Sequence, residues 1–240
     1  MKTRKIFLFL VLISTIIAAQ NNKSVRITEN FNENWKFKLE DNPSFCEKGL
    51  DDNLWRTLTL PHDWSVEAEF SKENSGRNAW LPGGIAWYRK SFVLPDNYKG
   101  KSIEIQFDGV YKNATLWVNQ HPIGVQHDGY TSFRYDITEL LSFEEENTIA
   151  VRVDNSNQPN CRWYSGSGIY RNVWLNVTSP THIETWGTFI TTPEVSENEA
   201  MIKVVSTVKN MDDAKELNIE TRIYAPNGKQ VAEQTSAIKI

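Results

Sequence analysis

From Arg152 to Arg171 the chain reads RVDNSNQPNCRWYSGSGIYR, a stretch whose residue types suit the gripping of a polar ligand. A strand is expected to end at Asp154, a polar loop follows, and Trp163, Tyr164 and Tyr170 flank the small tripeptide Gly166-Ser167-Gly168. Amphipathic rings on a loop rich in Gly, Ser and Asn present stacking faces and polar groups side by side. Ser165, Gly166 and Gly168 fit the turn geometry of such a loop. A carboxylate of interest is Asp63, between His62 and Trp64 and just after a proline that ends a strand. It has two readings. Either it accepts nearby backbone N–H groups in a turn, or it accepts hydrogen bonds from the hydroxyls of a ligand. His62 stands alone, which fits a structural imidazole better than a proton shuttle. Cys46 and Cys161 could pair in an oxidising compartment, although their spacing does not establish a bridge. No His or Cys lies beside them at ligand spacing, so no metal site is expected.

The elements that must position these residues are strands. Ile103, Ile105 and Phe107 alternate with polar neighbours, as do Ile149, Val151 and Val153, and again Val173, Leu175 and Val177. A period of two marks half-buried antiparallel strands. Further strands are expected near 35–39, 55–60, 87–94, 114–118 and 131–135, with turns at Pro95-Asp96-Asn97, Asn119-Gln120-His121-Pro122 and Asp154-Asn155. One helical turn fits Ile137–Leu141, capped by Asp136 or Thr138. About nine short strands make an all-β jelly-roll sandwich. Thr178-Ser179-Pro180 reads as a boundary, since Pro cannot continue a central strand. Beyond it, strands are expected at 182–191, 200–209 and 217–224, and Pro226-Asn227-Gly228 turns the chain into 230–235. These fit the opening strands of an immunoglobulin-like β-sandwich, which needs about seven. The expected organisation is thus residues 20–180 as one jelly-roll domain and 181–240 as an incomplete immunoglobulin-like one.

The first nineteen residues read as a signal peptide. Lys2, Arg4 and Lys5 precede an apolar run from Ile6 to Ile17, and small residues Ala18-Ala19 follow. The run is shorter than the ~20 residues of a spanning helix, so a secreted or periplasmic protein with no membrane segment is expected. A net charge of −4 argues against a nucleic-acid partner. Nine Trp, eight Tyr and eleven Phe give a sandwich both core volume and ring faces on which a ligand could lie.

Four blocks, in order, carry a resemblance. Leu60-Pro61-His62-Asp63-Trp64 is one, and Gly84-Ile85-Ala86-Trp87-Tyr88-Arg89-Lys90-Ser91-Phe92 is the next. The third runs from Phe107-Asp108-Gly109-Val110-Tyr111 through Asn119, Gly124, Gly129-Tyr130 and Phe133, and the fourth is the aromatic loop itself. Together they resemble the N-terminal sugar-binding domain of glycoside hydrolase family 2, which includes β-galactosidases, β-glucuronidases and β-mannosidases. Ala86, Gln120 and Asp128 stand where the family pattern has Gly.

The resemblance implies the N-terminal part of a retaining glycosidase, β-galactosidase-like, acting on terminal β-galactosides. It makes Asp63, Arg162, Trp163 and Tyr164 the substrate-binding candidates. Arg162 departs from the pattern, because some members carry there an Asp that holds the sugar and, in certain β-galactosidases, helps bind sodium. A guanidinium cannot accept hydroxyls; it would donate or pair with a carboxylate, and Asp63 becomes the candidate acceptor. Retaining hydrolysis needs two carboxylates about 5 Å apart. In this family both are Glu residues of a TIM barrel that follows these domains. No catalytic residue, metal ligand or cofactor site is therefore expected within these 240 residues. The expected partners are a carbohydrate and the chain's own C-terminal barrel, with a homo-oligomer left open. A β-glucuronidase or β-mannosidase, a free carbohydrate-binding module, and a purely structural sandwich remain as alternatives.

Overall fold

The computed structural model describes residues 26–240, so the signal-peptide reading lies outside the described residues. Within them the chain is all-β and antiparallel, with no α-helix, only short 3-10 turns. In chain order the strands are β1 (Arg26–Asn30), β2 (Trp35–Lys38), β3 (Arg56–Leu58), β4 (Gly84–Phe92) and β5 (Ser102–Phe107). There follow β6 (Ala114–Val118), β7 (His121–Gln126), β8 (Phe133–Asp136), β9 (Asn147–Asn155) and β10 (Val173–Thr178). The last four are β11 (Thr181–Val195), β12 (Ala200–Asn210), β13 (Glu216–Tyr224) and β14 (Gln230–Lys239).

The first ten strands form two layers, ordered β1-β10-β5-β8 and β3-β2-β4-β9-β6-β7. The period-two pattern explains their contact. Leu175 stands opposite Ile105 and Val177 opposite Ile103, so one face of the smaller sheet is apolar throughout. That face meets Trp35, Tyr88, Leu116 and Val151 from the larger sheet, all completely buried. The larger sheet also buries part of its outer face, where Phe45, Trp55, Trp87 and Ala150 cluster. Strands β11–β12 and β13–β14 are two hairpins with no ladder to the ten.

Two strands differ from expectation. The turn read at Asn119–Pro122 is only two residues long; Asn119 and Gln120 both adopt positive φ, and His121 already pairs with Val118. Such a turn closes a hairpin directly, and Pro122 is accommodated because β7 is an edge strand. Strand β1 was not foreseen, because its RITEN sequence buries little at the sheet edge. The helical turn near Ile137 is a 3-10 turn over Thr138–Leu140, with the Asp136 carboxylate accepting from Thr138 N and Oγ1 at 3.0 and 2.6 Å. Cys46 and Cys161 do not pair: both thiols are free, pointing at the carbonyls of Pro43 and Trp163.

Candidate functional site

The aromatic loop lies on the corner that follows β3, held there by backbone first. His62 N donates to Ile169 O at 2.9 Å and Trp64 N to Ser167 O at 3.1 Å, while Tyr111 and Gly168 exchange both of their backbone bonds at 2.9 Å. Two glycines allow so close an approach. Gly166 and Gly168 sit at φ +73 and +126, and a Cβ on Gly168 would lie 2.4 Å from Tyr88 Oη. The sequence reading of these glycines as turn residues holds for that reason.

A buried polar network then fixes the loop from beneath. Ser65 Oγ donates to Pro82 O at 2.6 Å and lies 2.7 Å from Ser167 Oγ. Asn155, completely buried at the end of β9, donates to Gly166 O at 3.0 Å and Ser167 Oγ at 2.7 Å. Asn160 Nδ2 reaches back to Asn155 Oδ1 at 2.5 Å, and Tyr111 Oη donates to Asn160 Oδ1 at 3.1 Å. With so many donors and acceptors satisfied in low dielectric, the loop is a stiff platform.

Asp63 is the clasp of this platform. Its Oδ1 accepts from Ser65 N at 3.0 Å and Ser167 N at 2.9 Å, and its Oδ2 accepts the Tyr164 hydroxyl at 2.5 Å. The turn reading of Asp63 therefore describes what the carboxylate does here. A carboxylate offers about four lone-pair sites; three are used, and the group is only half-buried, so one acceptor position remains for a hydroxyl from outside. Burial raises the Tyr164 hydroxyl pKa, and the bond to Asp63 raises it further, so Tyr164 stays a neutral donor.

The four candidates divide two and two. Asp63 and Tyr164 are joined, whereas Trp163 is 61% exposed and Arg162 lies on the surface beside it. Among the described residues no carboxylate pairs with Arg162. The loop thus offers a ring and a cation outward and an acid–phenol pair at its root. Sequence reasoning missed Tyr111, Asn155 and Asn160, whose place in the network depends on strands distant in sequence; polar Asn at a strand end was the available signal.

His62 is structural, as a lone imidazole suggests. It is buried, its Nδ1 lies 2.7 Å from Tyr88 Oη, and its Nε2 lies 3.3 Å from Glu67 Oε1. Burial lowers its pKa against the pull of Glu67. Glu67 in turn is lowered to about 2, chiefly by two hydrogen bonds from Arg56 at 2.5 and 2.8 Å. No group of three or more His, Cys, Asp or Glu side chains among the described residues is arranged to hold a metal ion. No helix among them is long and apolar enough to cross a membrane.

Comparison with known proteins bears on this geometry. Over 218 residues the chain is 45% identical to the β-galactosidase BoGH2A of Bacteroides ovatus, covering 89% of this chain and 26% of that protein. It is 38% identical to a putative β-glucuronidase of Formosa agariphila, covering 97% of this chain and 22% of that one. A glycosyl hydrolase family 2 member from Bacteroides cellulosilyticus superposes with a TM-score of 0.81 at 40% identity, over 88% of this chain and 28% of that structure. The Bacteroides uniformis β-glucuronidase gives 0.83 at 32% identity, over 90% and 26%. The chain spans about a quarter of the length of these relatives. Residues 57–181, from β3 to the start of β11, match the galactose-binding-like domain of glycosyl hydrolase 2 enzymes, and the chain belongs to that family.

Proposed function

We propose that the chain is the N-terminal portion of an exported, retaining family 2 glycoside hydrolase that removes terminal β-galactosyl residues. In this reading residues 20–180 form the sugar-binding jelly roll, residues 181–240 begin an immunoglobulin-like domain, and the catalytic carboxylates belong to a barrel outside these 240 residues. The observation that carries it is the loop itself: a stiff platform, clasped by Asp63, that projects Trp163 and Arg162 from one end of the sandwich. Such a loop can reach the rim of a neighbouring pocket and hold a sugar there by stacking and hydroxyl contacts. Identity to a β-galactosidase over most of the chain supports the galactoside; the β-glucuronidases among its relatives support a glucuronide as the second reading. The basic and apolar start of the chain supports export.

The test uses the longer polypeptide that begins with this chain. Its kcat/KM on nitrophenyl β-galactoside should exceed that on the β-glucuronide, while the 240-residue chain alone should turn over neither. Trp163→Ala should lower kcat/KM by about 10- to 1,000-fold with little change in melting temperature. Unchanged kcat/KM would remove the loop from the pocket, and preference for the glucuronide would select the second reading.

A further inference from the structure

On the far side of the smaller sheet, where β11 crosses β1, β10 and β5, lies a cavity of about 450 Å³. Its floor is a row of polar side chains on the outer face of the sheet. Thr28 Oγ1 donates to Asn176 Oδ1 at 2.8 Å, Asn176 Nδ2 to Gln106 Oε1 at 3.2 Å, and Gln106 Nε2 to Asp108 Oδ1 at 2.9 Å. Trp174 Nε1 closes the row on Asp108 Oδ2 at 2.8 Å. The row orients every amide, and Asn176 and Gln106 each spend one N–H of two within it, leaving one each to donate.

The opposite wall is built by an irregularity. Between Ile183 and Thr188, β11 advances five positions while β12 advances two, from Val208 to Ser206. The extra residues bow outward and line the cavity with Glu184, Thr185 and Trp186. Trp186 adopts φ +59, a left-handed backbone that a bulky side chain rarely takes, yet the residue is 59% exposed. Strain of this kind is retained where surrounding structure enforces it, commonly at ligand sites. Arg26 donates to Thr185 Oγ1 at 2.7 Å and Ile183 O at 2.5 Å, and the Arg134 guanidinium carbon stands 5.5 Å from the Trp186 ring centroid, so both cations brace the bulge.

We propose that this cavity is a second, non-catalytic saccharide site, separate from the loop above. Two indole rings, Trp174 and Trp186, supply the apolar faces that pyranose C–H groups need, and the ordered amides with Glu184 supply partners for hydroxyls. The lining carries Arg26 and Glu184, and the Arg134 beside Trp186 is itself held by Glu104 and Glu184, a near-balance of charge that favours a neutral sugar over an anion. The volume falls in the ~300–1,000 Å³ range of small-molecule sites. In a polysaccharide-degrading enzyme such a site would retain the polymer near the pocket, although it binds whether or not hydrolysis follows.

The test is titration of the 240-residue chain with β-1,4-galactobiose, read on the indole N–H signals of its tryptophans. The signals of Trp174 and Trp186 should shift together and saturate. Trp186→Ala and, independently, Gln106→Leu should weaken binding by roughly tenfold, a loss of one ring face or one hydrogen-bonding group. Leu54→Ala, at a fully exposed side chain that lines neither site, should leave it unchanged. Should Trp186→Ala fail to fold, Gln106→Leu decides. The proposal is overturned if neither indole responds, if only Trp163 responds, or if the folded variants bind as tightly as the parent. Loss of hydrolysis in the longer enzyme with intact binding here would overturn the proposed function alone.

Discussion

Strands β1–β10 and β11–β14 carry the same alternation of apolar and polar residues but have different fates. In the first set the alternate side chains meet a second sheet, and Trp35 and Phe107 lose all solvent contact. In the second, Phe189, Ile190 and Val205 remain 67, 61 and 46% exposed, and no described residue after Pro180 is buried. Alternation specifies a strand; only a facing layer turns that strand into stability, at roughly 25 cal/mol per Å² of apolar surface covered. Side chains tie the two sets together: Arg26 and Arg134 on the bulge of β11, and an ion pair from Lys209 to Asp136.

The sharpest way to break this contrast is a pair of truncations. Trp35→Ala should cost about 3–5 kcal/mol in urea unfolding, and Ile190→Ala less than about 0.5 kcal/mol. A comparable loss at Ile190 would mean that β11–β14 contribute a core of their own. Next in size is Gly168→Ala in the loop. The substituted residue must hold φ +126 with its Cβ against Tyr88 and the His62 carbonyl, so about 1–3 kcal/mol should be lost, seen as a lower urea midpoint.

Acid should weaken the corner beneath that loop. Glu67 is held at about 2 against an ordinary 4.5, so its contribution is complete above pH 4.5 and is lost as pH falls towards 2. His62, its pKa lowered by burial, acts in the same direction: its contribution is complete above 6.5 and declines as acid forces a proton onto it. Because the Glu67 side chain is 39% exposed, solvent screening reduces its share to about 1 kcal/mol. Unfolding of Glu67→Gln followed from pH 6 to 2 should show a flatter acid limb below pH 4.5; an unchanged limb would remove Glu67 from the account. The smallest effect should come from ending the chain at Ser179. The melting temperature of the sandwich should move by less than ~4 °C, about 1 kcal/mol, and self-association should fall as exposed apolar surface is removed. A larger drop would show that the hairpins support the sandwich after all.

Much of this was legible in the sequence. The strands around Ile105, Val151 and Leu175 follow from alternation because one face of each packs into the core between the two sheets. Strand β7 was not, since a Pro and a Gly within six residues read as turn until an edge position is known. At the site, the Gly and aromatic content of 163–170 announced a shaped loop, and Asp63 was identifiable as a carboxylate on a corner. The turn bond from Ser65 N two residues on was legible as well; the other two partners were not, because Tyr164 and Ser167 lie about a hundred residues away.

By itself the sequence determined the class of the fold, most of its strands and the family pattern, since period-two burial and turn chemistry are local properties of neighbouring residues. Tertiary structure decided what those residues do. It spent three of the acceptor positions of Asp63 on the protein, separated Trp163 and Arg162 from Tyr164, left both cysteines free, and used a bulge to swing Trp186 over a cavity. Each outcome depends on which distant backbone arrives beside a side chain, and the packing of two sheets, not any local preference, fixes that arrival.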